Sequence, residues 1–523
     1  MPQLSALVPT PFKNEKIRSF TDEADRASIV AALGRARARL GGRYAPVVDG
    51  RKLETADEFR SLNPANTAEV VGIVGAASVE QATAAVEAAA RRFESWKRTS
   101  AKERAACLFR AAELIRQRRD DFNALLVLEV GKPWVEADAD TAEAIDFLEF
   151  YAREALRYAE PRPLVPLAGE EGRLAYIPLG AGVVIPPWNF ALAIMAGTTT
   201  AALVAGNTVC LKPSEDASVI AAVFVELLTE AGVPEGVVNF VPGPGATIGE
   251  AMVAHPKTRF ISFTGSKAVG LRINELASRV AEGQIWIKRV VAEMGGKDAI
   301  VVAGDADLDA AADGIVASAF GFSGQKCSAC SRAIVDARVY DAVLSRVVER
   351  TKRLVIGDPA LGPVDVGPVI NGKAYDKILG YVERGRGEGR LVLGGRGVPG
   401  PGFFIEPTIF ADVASDSALA QEEIFGPVVA VLKARDFSDA LAIANGTEFG
   451  LTGAVYSRDD AKLELARADF HVGNLYFNRK CTGALVGVHP FGGFNFSGTD
   501  SKAGGYDYLG LFLQAKIVSK RLT

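Results

Sequence analysis

The sequence predicts a two-lobed α/β fold wound around parallel sheets, on three observations. Its 523 residues are 49% hydrophobic and 23% charged, too apolar for disorder and too long for one core, so two or three folded units are expected. From about residue 180, short apolar runs alternate with longer helical patterns, the order of a parallel sheet covered by helices. Ahead of that point, residues 80–157 are dominated by helical periodicity rich in alanine, glutamate and arginine.

The helical region holds the runs EQATAAVEAAARRFESWK, AKERAACLFRAAELIRQRRDDFNALLVLEVGK and EADADTAEAIDFLEFYAREALRYA, expected to pack on a sheet. EPRPLVPLAGEEGRLAYIPLG then sets prolines and glycines around alternating stretches, which predicts an extended hairpin projecting for association with another chain. AGVVI reads as a strand, and DASVIAAVFVELLTEAGVP as an amphipathic helix stopped by Gly232 and Pro234. GVVNFV, RFISFTG and DAIVV are further strands, each followed by turn residues and a helix such as KAVGLRINELASRVA. A second α/β run follows Cys327, with the strand SRAIVD, the helix VYDAVLSRVVERTKRLVIG, RLVLGG and the turn-rich GRGVPGPGFFIEPTIF. The tail LGLFLQAKIVSKRL alternates apolar and basic residues and is expected as a packed strand at an interface.

Leu174 to Leu211 carries no charged residue, a length that could cross a bilayer. Pro186 and Pro187 adjoin, Thr198 to Thr200 follow, and Gly180, Gly182, Gly197 and Gly206 punctuate it, so strand, turn and core helix are expected instead. A net charge of -4 and a pI near 5.8 leave no basic stripe for nucleic acid or a membrane surface. Five cysteines in no framework spacing suit a reducing compartment, and MPQLSALVPTPFKNEKIRSF lacks the features of a secretory leader or transit peptide. A cytoplasmic location is expected.

Several stretches carry candidate chemistry. VPGPGATIG has Gly243 and Gly245, but Gly249 falls one place late for a dinucleotide fingerprint, so a simple turn fits as well. In FTGSKAVG, Gly265 and Ser266 end a strand and open a helix whose free N–H groups could receive a phosphate. In TVCLKPSED, Lys212 and Glu215 could hold the two hydroxyls of an adenosine ribose, or form a surface ion pair. GFSGQKCSACSRAIV sets Cys327 and Cys330 in C-x-x-C spacing. With only His255, His471 and His489 elsewhere, no second half of a zinc site is visible. A strand follows the pair at once, against a thioredoxin-like arrangement. Cys327 acting alone beside Lys326, a cation that favours thiolate, fits better, with Cys330 a buried thiol. A thiolate needs a base and an oxyanion donor, and Glu293 in VVAEMGGKDAIVV and Asn189 in IPPWNF are the candidates.

PPWNF, LKPSE, FTGS, EMGGKDA, GQKC, EEIFGPV and PFGGFNFSG occur in the order and approximate spacing of the aldehyde dehydrogenase superfamily, which the chain resembles over roughly residues 50–520. Within it, GFSGQKCSACSRAIV, YFNRKCTGALVGVHPFGG and the arm PFKNEKI resemble the branch acting on glutamate semialdehyde, in the form without a preceding proline dehydrogenase domain. The resemblance implies a Rossmann-type NAD-binding domain at 1–157 and 178–290, with an N-terminal arm. It also implies a catalytic domain at 291–490 and an oligomerisation element at 158–177 and 491–523. It makes Cys327 the nucleophile, Glu293 the base, and Asn189 with the Cys327 N–H the oxyanion donors. NAD would meet Lys212 and Glu215 at the adenosine ribose, Gly265 and Ser266 at the pyrophosphate, Pro186 to Trp188 along the crevice, and Glu423 at the nicotinamide ribose. NADP would be disfavoured by Glu215 but tolerated at an exposed rim.

The same resemblance gives the substrate's charged end to Ser328, Gly483 and Ala484, and its aliphatic middle to Phe190 and Phe491, unless those two are ordinary core aromatics. Relatives carrying serine at the Ala484 position have one more hydroxyl there, so main-chain donors carry more of the load here. A homodimer or a hexamer of dimers, and coupling to a proline dehydrogenase, are the implied associations. Two alternatives remain: a dehydrogenase of another semialdehyde, and a Cys327/Cys330 thiol switch.

Overall fold

A computed structural model describes residues 11–522. Two seven-stranded sheets organise the chain. The first runs Arg289–Glu293, Phe260–Thr264, Ala181–Ile185, Thr208–Leu211 and Val238–Phe240 in parallel, then adds the short antiparallel strands Val47–Val48 and Arg51–Lys52. Chain order runs outward both ways from Ala181–Ile185, so the direction of winding switches between that strand and Phe260–Thr264. Ligand crevices of doubly wound sheets open at such a switch, outside the carboxyl ends of the strands.

The second sheet orders Arg390–Leu393, Thr408–Ala411, Val428–Ala434, Arg332–Asp336, Ala299–Val302, Thr452–Tyr456 and Asn474–Phe477, parallel except at its first strand. Ala299–Val302 is buried throughout, as a strand covered on both faces must be. The runs AGVVI, RFISFTG, DAIVV and SRAIVD therefore lie where the sequence expects them. Thirteen residues of DASVIAAVFVELLTEAGVP form the helix Ser218–Glu230.

Helix ends follow local chemistry. Ser78 with Gln81, and Ser100 with Glu103, close capping boxes that start Val79–Trp96 and Ala101–Gln117. The long run AKERAACLFRAAELIRQRRDDFNALLVLEVGK breaks at Arg118 into Ala101–Gln117 and Arg119–Val130, and Gly131 at φ 70° stops the second. Leu174 to Leu211 resolves into a strand end, Ala181–Ile185, the helix Ala193–Val204 and Thr208–Leu211. No helix of the described residues is long and apolar enough to cross a membrane.

The projecting element differs in its pairing. Glu170–Pro178 pairs antiparallel with the tail Leu513–Arg521 along nine residues, whereas the first arm of the expected hairpin meets the second at the single bridge Arg162↔Leu174. Pro161, Pro163 and Pro166 lack the N–H groups a ladder needs, so the tail supplies the partner strand. A further small sheet of Gly42–Tyr44, Asn66–Ala76 and Asp57–Asn63 precedes the helices.

Gly182 in the central strand lies against the Phe260 ring, where a Cβ would overlap it. Gly182→Ala is expected to lower stability by about 1–3 kcal/mol. Gly34→Ala, in the helix Glu23–Arg37 with nothing within 4 Å of the new carbon, is expected to raise it by about 0.5–1 kcal/mol. Denaturant unfolding of both variants checks this; shifts of the same sign contradict it.

Candidate active site

The helix Leu308–Phe320 ends in a short turn, Gly321–Gly324. Phe322, Ser323 and Gly324 take φ of 49°, 56° and 66° in succession, a left-handed run that persists at non-glycine residues only where the surroundings enforce it. Ser323 Oγ donates to Gly367 O at 2.8 Å, while the Gln325 amide donates to Pro368 O at 3.2 Å and accepts from Ile370 N at 2.9 Å. A Cβ on Gly324 would strike Gly426 O. The chain leaves this clamp in a turn closed by Ala329 N donating to Lys326 O at 3.0 Å, which presents Cys327. Of the five cysteines, Cys327 is the one residue that is not fully buried.

Glu293 ends the strand Arg289–Glu293. Its carboxylate accepts from Ser501 Oγ and, at 3.2 Å, from Gly493 N. Burial pushes the carboxyl up to about 8, against the opposing pull of those two donors. Burial also pushes the Cys327 thiol well above its ordinary value, and the carboxyls of Asp298, Glu423 and Glu293 add to the effect. The expectation that Lys326 favours thiolate is corrected here. The Lys326 ammonium pairs with Glu136 at 2.7 Å, and desolvation with three acids around the sulfur prevails. Asn189, buried at the end of the Pro186–Pro187 turn, donates its Nδ2 to Gln325 O at 3.0 Å. The amide is thereby tied to the Cys327 turn and keeps its second N–H.

Cys330 is buried, and its thiol contacts Cys481. Cys481 Sγ in turn donates to Ser328 O at 3.4 Å, and Thr452 Oγ1 donates to the same carbonyl at 3.5 Å. The Cys327 turn and the loop after Cys481 are therefore joined through Ser328. In that loop Gly483 is exposed with φ 79° and Ala484 is half-buried. Among the described residues, neither of their N–H groups donates a hydrogen bond. Phe190 lies under the Lys132 ammonium, 4.3 Å from the ring centroid. Phe491 exchanges two hydrogen bonds of 2.8 Å with Ala503. No ring contact joins Phe190 to Phe491 among the described residues.

At the carboxyl end of the strand Thr208–Leu211, Lys212 is 5% exposed. Its ammonium donates to Pro213 O at 3.0 Å, and its stem lies 3.6–3.8 Å from where a Cβ on Gly249 or Gly245 would sit. Burial drives that ammonium down to about 8, with Glu215 opposing. A surface ion pair is therefore the wrong reading of this stretch, because Lys212 is buried. VPGPGATIG turns out to face the same lysine: Gly245–Gly249 forms a π-helical turn.

Gly265 N–H, expected free, donates to Glu293 O at 3.0 Å. Ser266 caps the helix Lys267–Ser278, its Oγ accepting from Val269 N at 3.4 Å. Pro186 is buried, and Trp188 stands edge-on to Phe322 and Phe425 of the second lobe, with centroids 6.2 and 5.7 Å apart. Glu423 accepts from Gly296 N at 3.1 Å, and burial raises its carboxyl. A buried cation, a helix N-terminus and rim carboxyls at a switch point form a donor set that fits a dinucleotide.

Sequence reasoning missed the charged floor beneath Phe190. Lys132 and Asp140 form an ion pair of 2.9 Å with both side chains fully buried. Burial would raise Glu136, but Lys326 and Lys132 hold it below its ordinary value. Glu143 is pushed up to about 8 by burial and by Asp140. Glu136, Asp140 and Glu143 follow the i, i+4, i+7 spacing of one face of the helix Trp134–Ala159. An acidic stripe at that spacing is the signal the sequence offered.

Over residues 52–518 the sequence matches the Aldehyde dehydrogenase family. It is 60% identical over 510 residues to a 1-pyrroline-5-carboxylate dehydrogenase of Geobacillus kaustophilus, covering 98% of this chain and 99% of that protein. The crystal structure of 1-pyrroline-5-carboxylate dehydrogenase from Thermus with bound NAD superposes with a TM-score of 0.97 at 51% identity, over 98% of this chain and 100% of that one. Proline utilization A from Bdellovibrio bacteriovorus gives 0.96 at 46% identity, over 98% of this chain and 53% of that chain. With the sheet order, the cysteine turn and the strand-end glutamate on the same frame, the chain belongs to the aldehyde dehydrogenase family.

Proposed function

We propose that the chain oxidises L-glutamate γ-semialdehyde, the ring-opened form of 1-pyrroline-5-carboxylate, to L-glutamate with NAD. One observation carries the reading. The half-buried Cys327 is joined through Ser328 and Cys481 to a loop with two unengaged main-chain N–H groups, so an aldehyde and a carboxylate can be held at opposite ends of one molecule. The relatives named for this activity, alike over nearly their whole length, point the same way.

Cys327 is held protonated at rest, so its attack on the aldehyde carbon requires a proton acceptor. Glu293 is that acceptor, its carboxyl raised toward the working range of a general base. The sulfur–carbon bond forms, and the oxyanion of the thiohemiacetal is met by the second N–H of Asn189 and by the Cys327 N–H. NAD, when bound, supplies the acceptor for the hydride that leaves this carbon. Glu293 passes the thiol's proton to solvent and then takes one from water; the water oxygen bonds to the thioester carbon as the sulfur–carbon bond breaks, and the leaving thiolate takes a proton back from Glu293, giving the carboxylic acid and the free thiol.

For the cofactor, Lys212 and Glu215 would hold the adenosine ribose, with Glu215 repelling a 2′-phosphate. Ser266 and the first helical turn would face the pyrophosphate, since the Gly265 N–H is spent on Glu293 O. Pro186 to Trp188 would line the crevice and Glu423 would take the nicotinamide ribose. The substrate's α-carboxylate is assigned to Gly483 and Ala484 with Ser328, its ammonium to the acidic floor at Glu136, and its chain to Phe190 and Phe491.

The division of labour places the nucleotide unit at 1–157 and 178–290, the catalytic unit at 291–490 and the association element at 158–177 and 491–523. Ile517 and Val518, 59% and 50% exposed on the tail strand, are the surface for homodimer formation. A proline-oxidising enzyme would supply the substrate.

Glu293→Gln should lower turnover roughly 10²–10⁴-fold with no burst of reduced cofactor, because both the attack of Cys327 and the hydrolysis lose their base. Rapid-mixing absorbance checks this, and a steady rate near wild type contradicts it. Because Glu293 must be ionised to accept a proton, kcat should rise with pH through about 8 and then level. A flat profile across that range removes Glu293 as the titrating base. Steady-state assays should favour glutamate semialdehyde over acetaldehyde and succinic semialdehyde; equal efficiency on all three rejects the substrate.

A further inference from the structure

Main-chain N–H groups select a carboxylate only as well as their peptide planes are fixed, and one side chain holds both planes of this loop. Arg479 Nη2 donates to Thr482 O at 2.8 Å and to Gly483 O at 3.0 Å. Those carbonyls belong to the peptide units that carry the Gly483 and Ala484 N–H groups. No peptide bond among the described residues is cis, and in a trans peptide C=O and N–H point in opposite directions. Both carbonyls are drawn to the guanidinium, so both N–H groups turn to the face away from it. Gly483, at φ 79° between the two units, supplies the left-handed backbone that concave anion sites use and that a Cβ would strain.

Arg479 is itself held in place. Its guanidinium carbon lies 4.4 Å from the Tyr476 ring centroid, and Nη1 lies 3.4 Å from His489 Nε2. The next N–H of the loop, that of Leu485, donates to His489 Nδ1 at 3.3 Å. Among the described residues no carboxylate forms an ion pair with Arg479, so its charge adds a positive potential to the loop.

We propose that Arg479 is a positioning residue that builds an anion nest from the Gly483 and Ala484 N–H groups for the α-carboxylate of the substrate. It acts from the carbonyl side of the loop and does not touch the ligand. This rests on the function proposed above, which assigns the carboxylate to this loop. Tyr476 and His489 keep the guanidinium from swinging away, which makes the nest a standing feature of the free enzyme rather than one formed on binding.

The test compares wild type, R479A and R479K on glutamate semialdehyde and on butanal, with L-glutamate as inhibitor and the melting temperature measured in parallel. R479A should raise KM for the semialdehyde and the inhibition constant of L-glutamate roughly tenfold or more, and leave kcat/KM for butanal within about twofold. R479K, which keeps a charged donor without the fork, should recover part of the loss. If R479A lowers the melting temperature sharply, R479Q is read by the same criteria.

An unchanged KM and inhibition constant in R479A, or equal losses on both aldehydes, overturns the positioning role while leaving the proposed activity standing. A wild type that neither prefers the semialdehyde to butanal nor binds L-glutamate overturns both.

Discussion

The two sheets of this enzyme are joined by one short crossing, Glu293 to Asp298, and the site is set by how closely other parts of the chain can approach it. Glu293 ends the last strand of the first sheet, and Ala299 begins a central strand of the second. At Gly295 and Gly296, between them, only glycine fits. A Cβ on Gly296 would lie 2.6 Å from Cys327 O, and one on Gly295 would fall on the Glu423 carboxyl. The Cys327 turn and Glu423 therefore pack on the backbone that carries Glu293. Asp298 completes the join, its carbonyl accepting from Ser331 N and Arg332 N and its carboxyl from Thr452 N at 2.6 Å. The proximity that covalent catalysis needs is thus a property of the backbone crossing, not of long flexible side chains.

Burial then divides the site into two electrostatic zones. Around Cys327, the acids Glu293, Glu423 and Asp298 are all raised by desolvation, because charged carboxylates sharing a dry space are costly unless paired. Protons accordingly reside where they have to move. The floor of the cleft is ionic instead: Lys132 with Asp140, and Lys326 with Glu136, are close pairs in which each charge compensates the other. Lys132 also lies over both Phe190 and Phe322, 4.3 and 4.7 Å from their centroids. One buried cation thus packs against both Phe190 and the left-handed turn that leads to Cys327.

What the sequence made legible follows from the range of the interactions involved. AGVVI, RFISFTG and DAIVV are strands because both faces are buried, which writes itself locally as an apolar run. Cys327, Glu293 and Asn189 can be singled out as candidates from sequence because each stands out chemically from its neighbours. The pairing of Glu170–Pro178 with Leu513–Arg521 is not legible, since it joins segments more than three hundred residues apart and prolines in the nearer arm disguise the choice. The strands at Asp57–Asn63 and Asn66–Ala76 carry mixed burial and little alternation, so periodicity does not reveal them. Arg479 looks like an ordinary solvated cation in its stretch and Lys326 like a partner of Cys327, whereas the partners each takes, Thr482 O and Gly483 O for the one and Glu136 for the other, are supplied only by the fold. The Gly265 N–H shows the reverse error: a helix-opening glycine whose donor is consumed by Glu293 O.

The central claim is that this crossing and its neighbours hold a thiol at one end of a cleft and a carboxylate nest at the other. It is tested most directly by a crystal structure of the enzyme with L-glutamate and NAD bound. The account predicts the α-carboxylate on the Gly483 and Ala484 N–H groups and the γ-carboxyl beside Cys327 and the Asn189 amide. Glutamate bound in the opposite orientation, or outside this cleft, would contradict it.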